Sequence, residues 1–236
     1  MGKWRTLTGL AAAGALAVAG AAYADTITGT NGPDTLTGTE RADVINGLGG
    51  DDNIRGLGGS DRINGGTGRD NITGDGSCRS GTTGPPYYCV PGSAGNDRIL
   101  GGGGADTISG NGGRDNISGQ GGDDRLNGNG RKDRITGGSG DDRIAGGTGN
   151  DRLSGNSGND RIDGGSGNDR INGGSGDDRL TAGGGRNTIF GSSGNDRIFA
   201  RNHRRDRINC GSGRDRVSAD RVDRIARNCE RVTRHR

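Results

Sequence analysis

Residues 137–145 read Gly-Gly-Ser-Gly-Asp-Asp-Arg-Ile-Ala, and this nine-residue unit decides the fold. The unit recurs without a gap at 146–154, 155–163, 164–172 and 173–181. On both sides of this stretch, an Asp that is followed two residues later by Ile or Leu recurs every nine residues through most of the chain. These Asp residues are Asp34, Asp43, Asp52, Asp61, Asp70, Asp97, Asp106, Asp115, Asp124, Asp133, Asp142, Asp151, Asp160, Asp169, Asp178 and Asp196. Such regularity predicts a repeat architecture in which every unit builds the same short structure.

Each unit predicts one short strand and one glycine-rich turn. The single aliphatic, such as Ile144 between Arg143 and Ala145, would point inward while its neighbours point outward. The glycines before it permit positive φ and let backbone carbonyls converge on one centre. A three-residue strand cannot stand alone, so it must stack on equivalent strands about 4.8 Å away.

The composition indicates that a metal supplies part of the folding free energy. Gly accounts for 55 of the 236 residues, and the hydrophobic fraction is only 25%. One aliphatic per nine residues buries too little apolar surface to offset the entropy of so much glycine. Periodic carboxylates and carbonyls suit a hard cation, and Ca²⁺ accepts six to eight such oxygens, whereas Mg²⁺ prefers a stricter octahedron. The chain has two His, and its four Cys lie outside the regular units, so transition metals are poorly served.

The unit matches the pattern GGxGxDxUx, where U is a large aliphatic, and the chain resembles the RTX, or haemolysin-type calcium-binding, repeat family over residues 29–73 and 92–199, with a decayed continuation to about residue 218. The resemblance implies an all-β fold, a right-handed parallel β-roll (β-solenoid) with two units per coil. It also implies Ca²⁺ ions between loops of units n and n+2, so that Asp142 shares a site with Asp160, and Asp151 with Asp169. The implied ligands are Asp34, Asp52, Asp61, Asp70, Asp97, Asp106, Asp115, Asp124, Asp142, Asp151, Asp160, Asp169, Asp178 and Asp196, with Gly138, Gly140, Gly147, Gly149, Gly165, Gly167, Gly174 and Gly176.

Several units depart from this pattern. Asn187 replaces the ligand Asp, so the unit at 182–190 is expected to bind calcium weakly or not at all. Arg131 replaces a glycine before Asp133, and an irregular Arg41-Ala42 precedes Asp43, so neither Asp is included among the ligands. Residues 200–205 contain no glycine, and one residue is inserted before Asp206. The regular roll is therefore expected to end at about residue 200.

Two segments without the regular pattern contain the cysteines. Residues 74–91 number eighteen, the length of one coil, and leave Asp70 and Asp97 in phase. We expect a coil without ligands that forms a lateral loop closed by Cys78–Cys89. Residues 200–236 are interpreted as a degenerate cap held by a Cys210–Cys229 bridge. Its spacing of Val222, Ile225, Cys229 and Val232 also fits an amphipathic helix.

Residues 1–24 have the features of a secretory signal peptide. Lys3 and Arg5 precede an apolar, alanine-rich stretch at 7–22, and Ala22-Tyr23-Ala24 fits a cleavage site. Four cysteines agree with an oxidising compartment. The expected organisation is a leader (1–24), N-terminal repeats (25–73), an insertion (74–91), the main array (92–199) and the cap (200–236). The expected location is extracellular, free or at the cell surface.

Three functions compete. The first is a secreted calcium-binding module that folds outside the cell. The second is a surface or matrix protein that binds anionic polysaccharide or another polyanion through outward arginines, among them Arg143, Arg161 and Arg179; alternatively, these arginines pair with nearby Asp123, Asp141 and Asp177. The third is an enzyme, which the sequence does not favour because no Ser/His/Asp or Cys/His set is available within the repeats.

Overall fold

The computed structural model describes residues 6–8, 25–75 and 95–235, and within them every regular element is a β-strand. The strands stack into two parallel sheets, A and B, and successive strands of the chain alternate between them. Sheet A contains β1 Thr6–Thr8, β2 Thr26–Thr28, β4 Val44–Gly49, β6 Arg62–Thr67, β8 Arg98–Gly103, β10 Asn116–Gly121, β12 Arg134–Ser139, β14 Arg152–Ser157, β16 Arg170–Ser175, β18 Thr188–Ser193, β20 Arg207–Ser212 and β22 Arg224–Ile225. Sheet B contains β3 Thr35–Thr37, β5 Asn53–Leu57, β7 Asn71–Asp75, β9 Thr107–Asn111, β11 Arg125–Gly130, β13 Arg143–Thr148, β15 Arg161–Asp163, β17 Arg179–Thr181, β19 Arg197–Ala200, β21 Arg216–Asp220 and β23 Arg231–His235.

The pairing register confirms a parallel β-solenoid with two units per coil. Ile135 lies beside Leu153 in sheet A, and Ile144 lies beside Ile162 in sheet B, each pair eighteen residues apart. The two sheets enclose one column of aliphatic side chains per sheet, and these side chains are at most 5% exposed from Ile27 to Val217. The core therefore consists of one aliphatic per unit, as the period predicts. The described residues contain no helix able to span a membrane.

The expectation that residues 74–91 form a coil is wrong. Arg62 pairs with Arg98, and Ile72 pairs with Ile108, so the strands on either side of the segment stack directly on each other. Pairs elsewhere in the regular array are eighteen residues apart, whereas these are thirty-six apart. No coil of the two sheets therefore lies between these strand pairs. The Cys78–Cys89 pair lies outside the described residues.

The solenoid continues past residue 200, where the regular roll was expected to end. β20 pairs with β18, and β21 pairs with β19, so that Ile208 and Val217 extend the aliphatic columns. The inserted residue is absorbed in the turn at His203, which has a φ of 60°. The alternative of a C-terminal helix is wrong as well, because β22 and β23 add a further strand to each sheet. The Cys210–Cys229 disulfide is present and joins β20 to the last turn.

Candidate calcium-binding loops

The repeated Asp residues form a ladder of hydrogen bonds inside each row of turns. The backbone N–H of Asp142 donates to Oδ1 of Asp160 at 2.9 Å, and the N–H of Asp160 donates to Oδ1 of Asp178 at 2.8 Å. We call these two rows the inner ladders. In the turns that precede the strands of sheet A, the residues that accept these backbone N–H bonds are Asp43, Asp61, Asp97, Asp115, Asp133, Asp151, Asp169, Asn187, Asp206 and Asp223. In the turns that precede the strands of sheet B, the accepting residues are Asp52, Asp70, Asp106, Asp124, Asp142, Asp160, Asp178, Asp196, Asp215 and Glu230.

The second carboxylate oxygen is buried and has no hydrogen-bond partner in twelve of these residues. They are Asp52, Asp70, Asp106, Asp124, Asp133, Asp142, Asp151, Asp160, Asp169, Asp178, Asp196 and Asp215. An isolated buried carboxylate is costly unless a cation or hydrogen-bond donors compensate its charge. Rows of such oxygens lining one face of the turns therefore fit a hard divalent cation.

Burial raises the pKa of these carboxyl groups. The pKa of Asp142, Asp169 and Asp178 rises to about 7, because desolvation by burial outweighs the backbone N–H bond that each accepts. The neighbouring carboxylates of adjacent coils raise it further. Without a bound cation, these groups therefore oppose the fold at neutral pH.

Acid should partly replace the cation. The unfolded carboxyl has a pKa of 3.8, whereas the folded one titrates near 7, so the folded state holds more protons between these values. The stability of the metal-free chain should therefore fall as pH rises from about 4 to 7. We expect more β structure at pH 5 than at pH 8 in metal-depleted protein, measured by far-UV circular dichroism. The same signal at both pH values would contradict this.

The glycines expected to take part have the backbone conformation that the turns require. Gly138, Gly140, Gly147, Gly149, Gly165, Gly167, Gly174 and Gly176 all have positive φ, between 84° and 148°. Ca²⁺ accepts backbone carbonyl ligands, and these turns also carry the inner Asp residues. No group of three or more His, Cys, Asp or Glu side chains converges as a metal site among the described residues. The ligand set that these loops can offer is Asp carboxylate oxygen together with glycine carbonyl oxygen.

The first glycine of each unit has a role that the sequence reasoning missed. It has ordinary φ, but its Cα lies against the carboxylate five residues later. A Cβ at Gly155 would meet Oδ2 of Asp160 and would lie 2.6 Å from the carbonyl oxygen of Gly173. Ala182 occupies this position in the unit whose ligand is Asn187, which is a sequence signal for the steric coupling.

The Asp or Asn residues of the irregular units also belong to the inner ladders, but their side-chain oxygens differ in charge and in hydrogen-bond partners. Asp133 is 2% exposed and Asp43 is 1% exposed, so the structure places both beside the expected ligands. Arg131 takes a φ of 73° where the pattern has glycine. The Oδ2 atom of Asp43 accepts the Thr39 N–H at 2.6 Å, and that of Asp34 accepts the Thr30 N–H. Asn187 accepts the Asp169 N–H at 2.8 Å and keeps the ladder while removing one charge.

A second, exposed ladder runs through Asp and Asn residues that directly precede several of the inner Asp residues. Oδ1 of Asp141 accepts the backbone N–H of Asn159 at 2.7 Å, and Oδ1 of Asn159 accepts that of Asp177 at 2.9 Å. We call this the outer ladder. It runs opposite to the inner ladders, because here the earlier coil accepts from the later one. The recurrence of Asp or Asn at this position is the sequence signal of the outer ladder.

The outward arginines lie in register, as expected. In sheet B, neighbouring strands align Arg125, Arg143, Arg161, Arg179, Arg197, Arg216 and Arg231. In sheet A, Arg134, Arg152 and Arg170 align in the same way. Two arginines stack on aromatic rings, Arg170 on Phe190 and Arg179 on Phe199, with 4.4 and 4.2 Å to the ring centroids.

A search of the curated proteins found no match. Comparison with protein-family models, in contrast, agrees with this geometry. The family model described as RTX calcium-binding nonapeptide repeat matches residues 19–54, 37–72, 55–77, 91–126, 118–153, 127–162, 145–180 and 172–202. These segments cover more than half of the 236 residues and coincide with most of the loops that carry the inner ladders. The chain belongs to the RTX calcium-binding repeat family.

Proposed function

We propose that this chain is a secreted calcium-binding module in which several ions in the turns complete the fold. The observation that carries the proposal is the row of buried Oδ2 atoms without hydrogen-bond partners along both inner ladders. The family is calcium-binding and typically structural rather than catalytic, and its repeats are typical of secreted proteins, which supports both parts of the proposal. The ligands would be the fourteen Asp residues and eight glycines named above, and we add Asp133 because its Oδ2 is buried without a hydrogen-bond partner.

Bound calcium would supply positive charge to the inner ladders. Each turn brings carboxylates of adjacent coils together, and the cation would remove both their repulsion and their desolvation cost. A chain that is held unfolded by carboxylate repulsion inside the cell would then fold where calcium is plentiful. Extracellular calcium modules commonly bind with Kd values of about 10⁻⁴–10⁻³ M.

Two adjacent Asp residues of one turn provide a matched test. Asp142→Asn removes an inner carboxylate while keeping an oxygen for the ladder bond, as Asn187 does. Asp141→Asn removes an equal charge from the outer ladder, where Asn159 already serves. We expect Asp142→Asn to raise the calcium midpoint by on the order of tenfold or more, and Asp141→Asn to change it little. The midpoint is measured by calcium titration with circular dichroism. Equal shifts in the two variants would contradict the inner ladder as the metal site.

A second candidate function is the binding of a polyanion along sheet B. It is supported by the alignment of Arg143, Arg161 and Arg179 on neighbouring strands. None of the three forms an ion pair with a carboxylate of the described residues. Closely spaced guanidinium groups repel one another unless anions lie among them. The groove beside this row, of about 570 Å³, also contains acidic side chains, which weaken its field; they are Asp141, Asp142, Asp160, Asp177 and Asp178.

A further inference from the structure

A groove near the C-terminal end of the solenoid differs in charge from the groove beside sheet B. It has a volume of about 540 Å³, and its lining contains five arginines and no carboxylate. The five arginines are Arg186, Arg204, Arg205, Arg207 and Arg224. We name it the C-terminal arginine groove. The comparable groove of sheet B combines four arginines with five Asp residues.

Substitutions at the turn positions explain this charge. Arg186 occupies the outer-ladder position, where the preceding coils have Asn150 and Asn168. Its backbone N–H still donates to Oδ1 of Asn168 at 2.8 Å, but an arginine side chain cannot accept the next N–H, so this outer ladder ends there. Arg205 occupies the same position one coil later. The two coils thus present cations where the five units before Arg186 present the side-chain oxygen atoms of Asp141, Asn150, Asn159, Asn168 and Asp177.

The inserted residue adds to the same cluster. His203 takes positive φ and widens the turn, which brings Arg204 to the surface beside Arg205. All five arginines of the groove are exposed, and none forms an ion pair with a carboxylate of the described residues. Arg207 and Arg224 lie in register on adjacent strands. The cations therefore come from three successive coils, which places them within about 10 Å along the solenoid axis.

Nearby carboxylates are engaged elsewhere. Asp206 and Asp223 belong to the inner ladder and accept the N–H groups of Asn187 and Asp206. Asp220 accepts the N–H groups of Asn202 and His203, and its side chain is only 4% exposed. None of them lines the groove. Five guanidinium groups in one concave site are a costly arrangement unless an anion of several charges binds among them.

We propose that the C-terminal arginine groove binds a compact oxyanion that carries several phosphate or sulfate charges. Guanidinium groups donate paired hydrogen bonds to such groups, and the groove has the size of ordinary small-ligand sites. The ligand differs from calcium in charge and location, so this proposal goes beyond the proposed function. The proposed site also differs from the polyanion site along sheet B. It depends on Arg186, where the outer ladder ends, and on the turn with the inserted residue, whereas the sheet B site depends on a long row of aligned arginines.

The test uses the calcium-loaded full chain and two compact probes, tripolyphosphate and a sulfated disaccharide, with binding measured by isothermal titration calorimetry at low salt. We expect at least one probe to bind, and the double variant Arg204→Gln/Arg205→Gln to weaken it by about tenfold or more through lost charge-assisted bonds. The tighter probe identifies the phosphate or sulfate source. The triple variant Arg143→Gln/Arg161→Gln/Arg179→Gln serves as the matched control and should bind the probe as the parent does.

Circular dichroism and the calcium midpoint are measured on the same variants, so that a change in folding is separated from a change in anion binding. If Arg204→Gln/Arg205→Gln folds poorly, Arg186→Gln/Arg224→Gln removes two charges from the neighbouring coils and is expected to give a similar loss. The proposal is overturned if neither compact probe binds, even where long polyanions do. It is also overturned if the sheet B control loses as much affinity as the groove variants.

Discussion

Metal-depleted protein should lose most of its β-sheet signal at neutral pH and recover it on addition of calcium. The cause is the balance in each unit between a buried aliphatic side chain, which stabilises the fold, and a buried carboxylate, which opposes it. One aliphatic side chain is buried per nine residues, while each turn also buries a carboxylate, with its pKa raised to about 7 at Asp142, Asp169 and Asp178. Calcium binding to the folded state alone adds its binding free energy to the stability. The measurement is far-UV circular dichroism in EDTA and then across a calcium titration.

Magnesium at the same concentrations serves as the control, since it prefers a rigid octahedron with retained water and should restore the signal poorly. Recovery over about 10⁻⁴–10⁻³ M calcium would match an extracellular module. If the spectra with EDTA and with calcium show the same β content, the proposed function is wrong, and the hydrophobic columns together with the ladders suffice for folding.

The second large effect is expected from adding a single methyl group, in Gly155→Ala. The new Cβ would meet the Asp160 carboxylate and would lie 2.6 Å from the Gly173 carbonyl oxygen of the next coil. Both groups belong to the stacked turns, so neither can move without disturbing adjacent coils. Overpacking of this kind costs about 1–3 kcal/mol. We expect a lower midpoint of thermal unfolding at saturating calcium and a higher calcium midpoint.

Gly103→Ala is the matched control, because a Cβ there would have no neighbour within 4 Å, and its φ is not in the left-handed region. It should leave both midpoints nearly unchanged. Cys210 has a Cβ at the position that corresponds to Gly155, but only the last turn and the short strand β22 stack beyond it. Equal behaviour of the two alanine variants would show that the first glycine does not shape the carboxylate site.

The nine-residue period was enough to predict the solenoid and its inward aliphatics, whereas the register of the arginine rows also needed the two units per coil that the family resemblance implies. Ile144 and Arg143 are adjacent in the chain, and strand geometry alone directs one inward and the other outward. The eighteen-residue coil then aligns Arg143 with Arg161. The Cys210–Cys229 pairing was also predicted correctly.

Contacts between coils were decided by the tertiary structure. Residues 74–91 have the length of a coil, so period alone cannot distinguish a coil from an insertion; the direct pairing of Ile72 with Ile108 does. The strands after residue 200 continue because Ile208 and Val217 still fill the columns, while one irregular turn absorbs His203. The packing of Gly155 against Asp160 and the opposed ladders involve stacked loops, and the arginine groove needs three successive coils. A sequence pattern specifies the unit, but only stacking shows which atoms of neighbouring units meet.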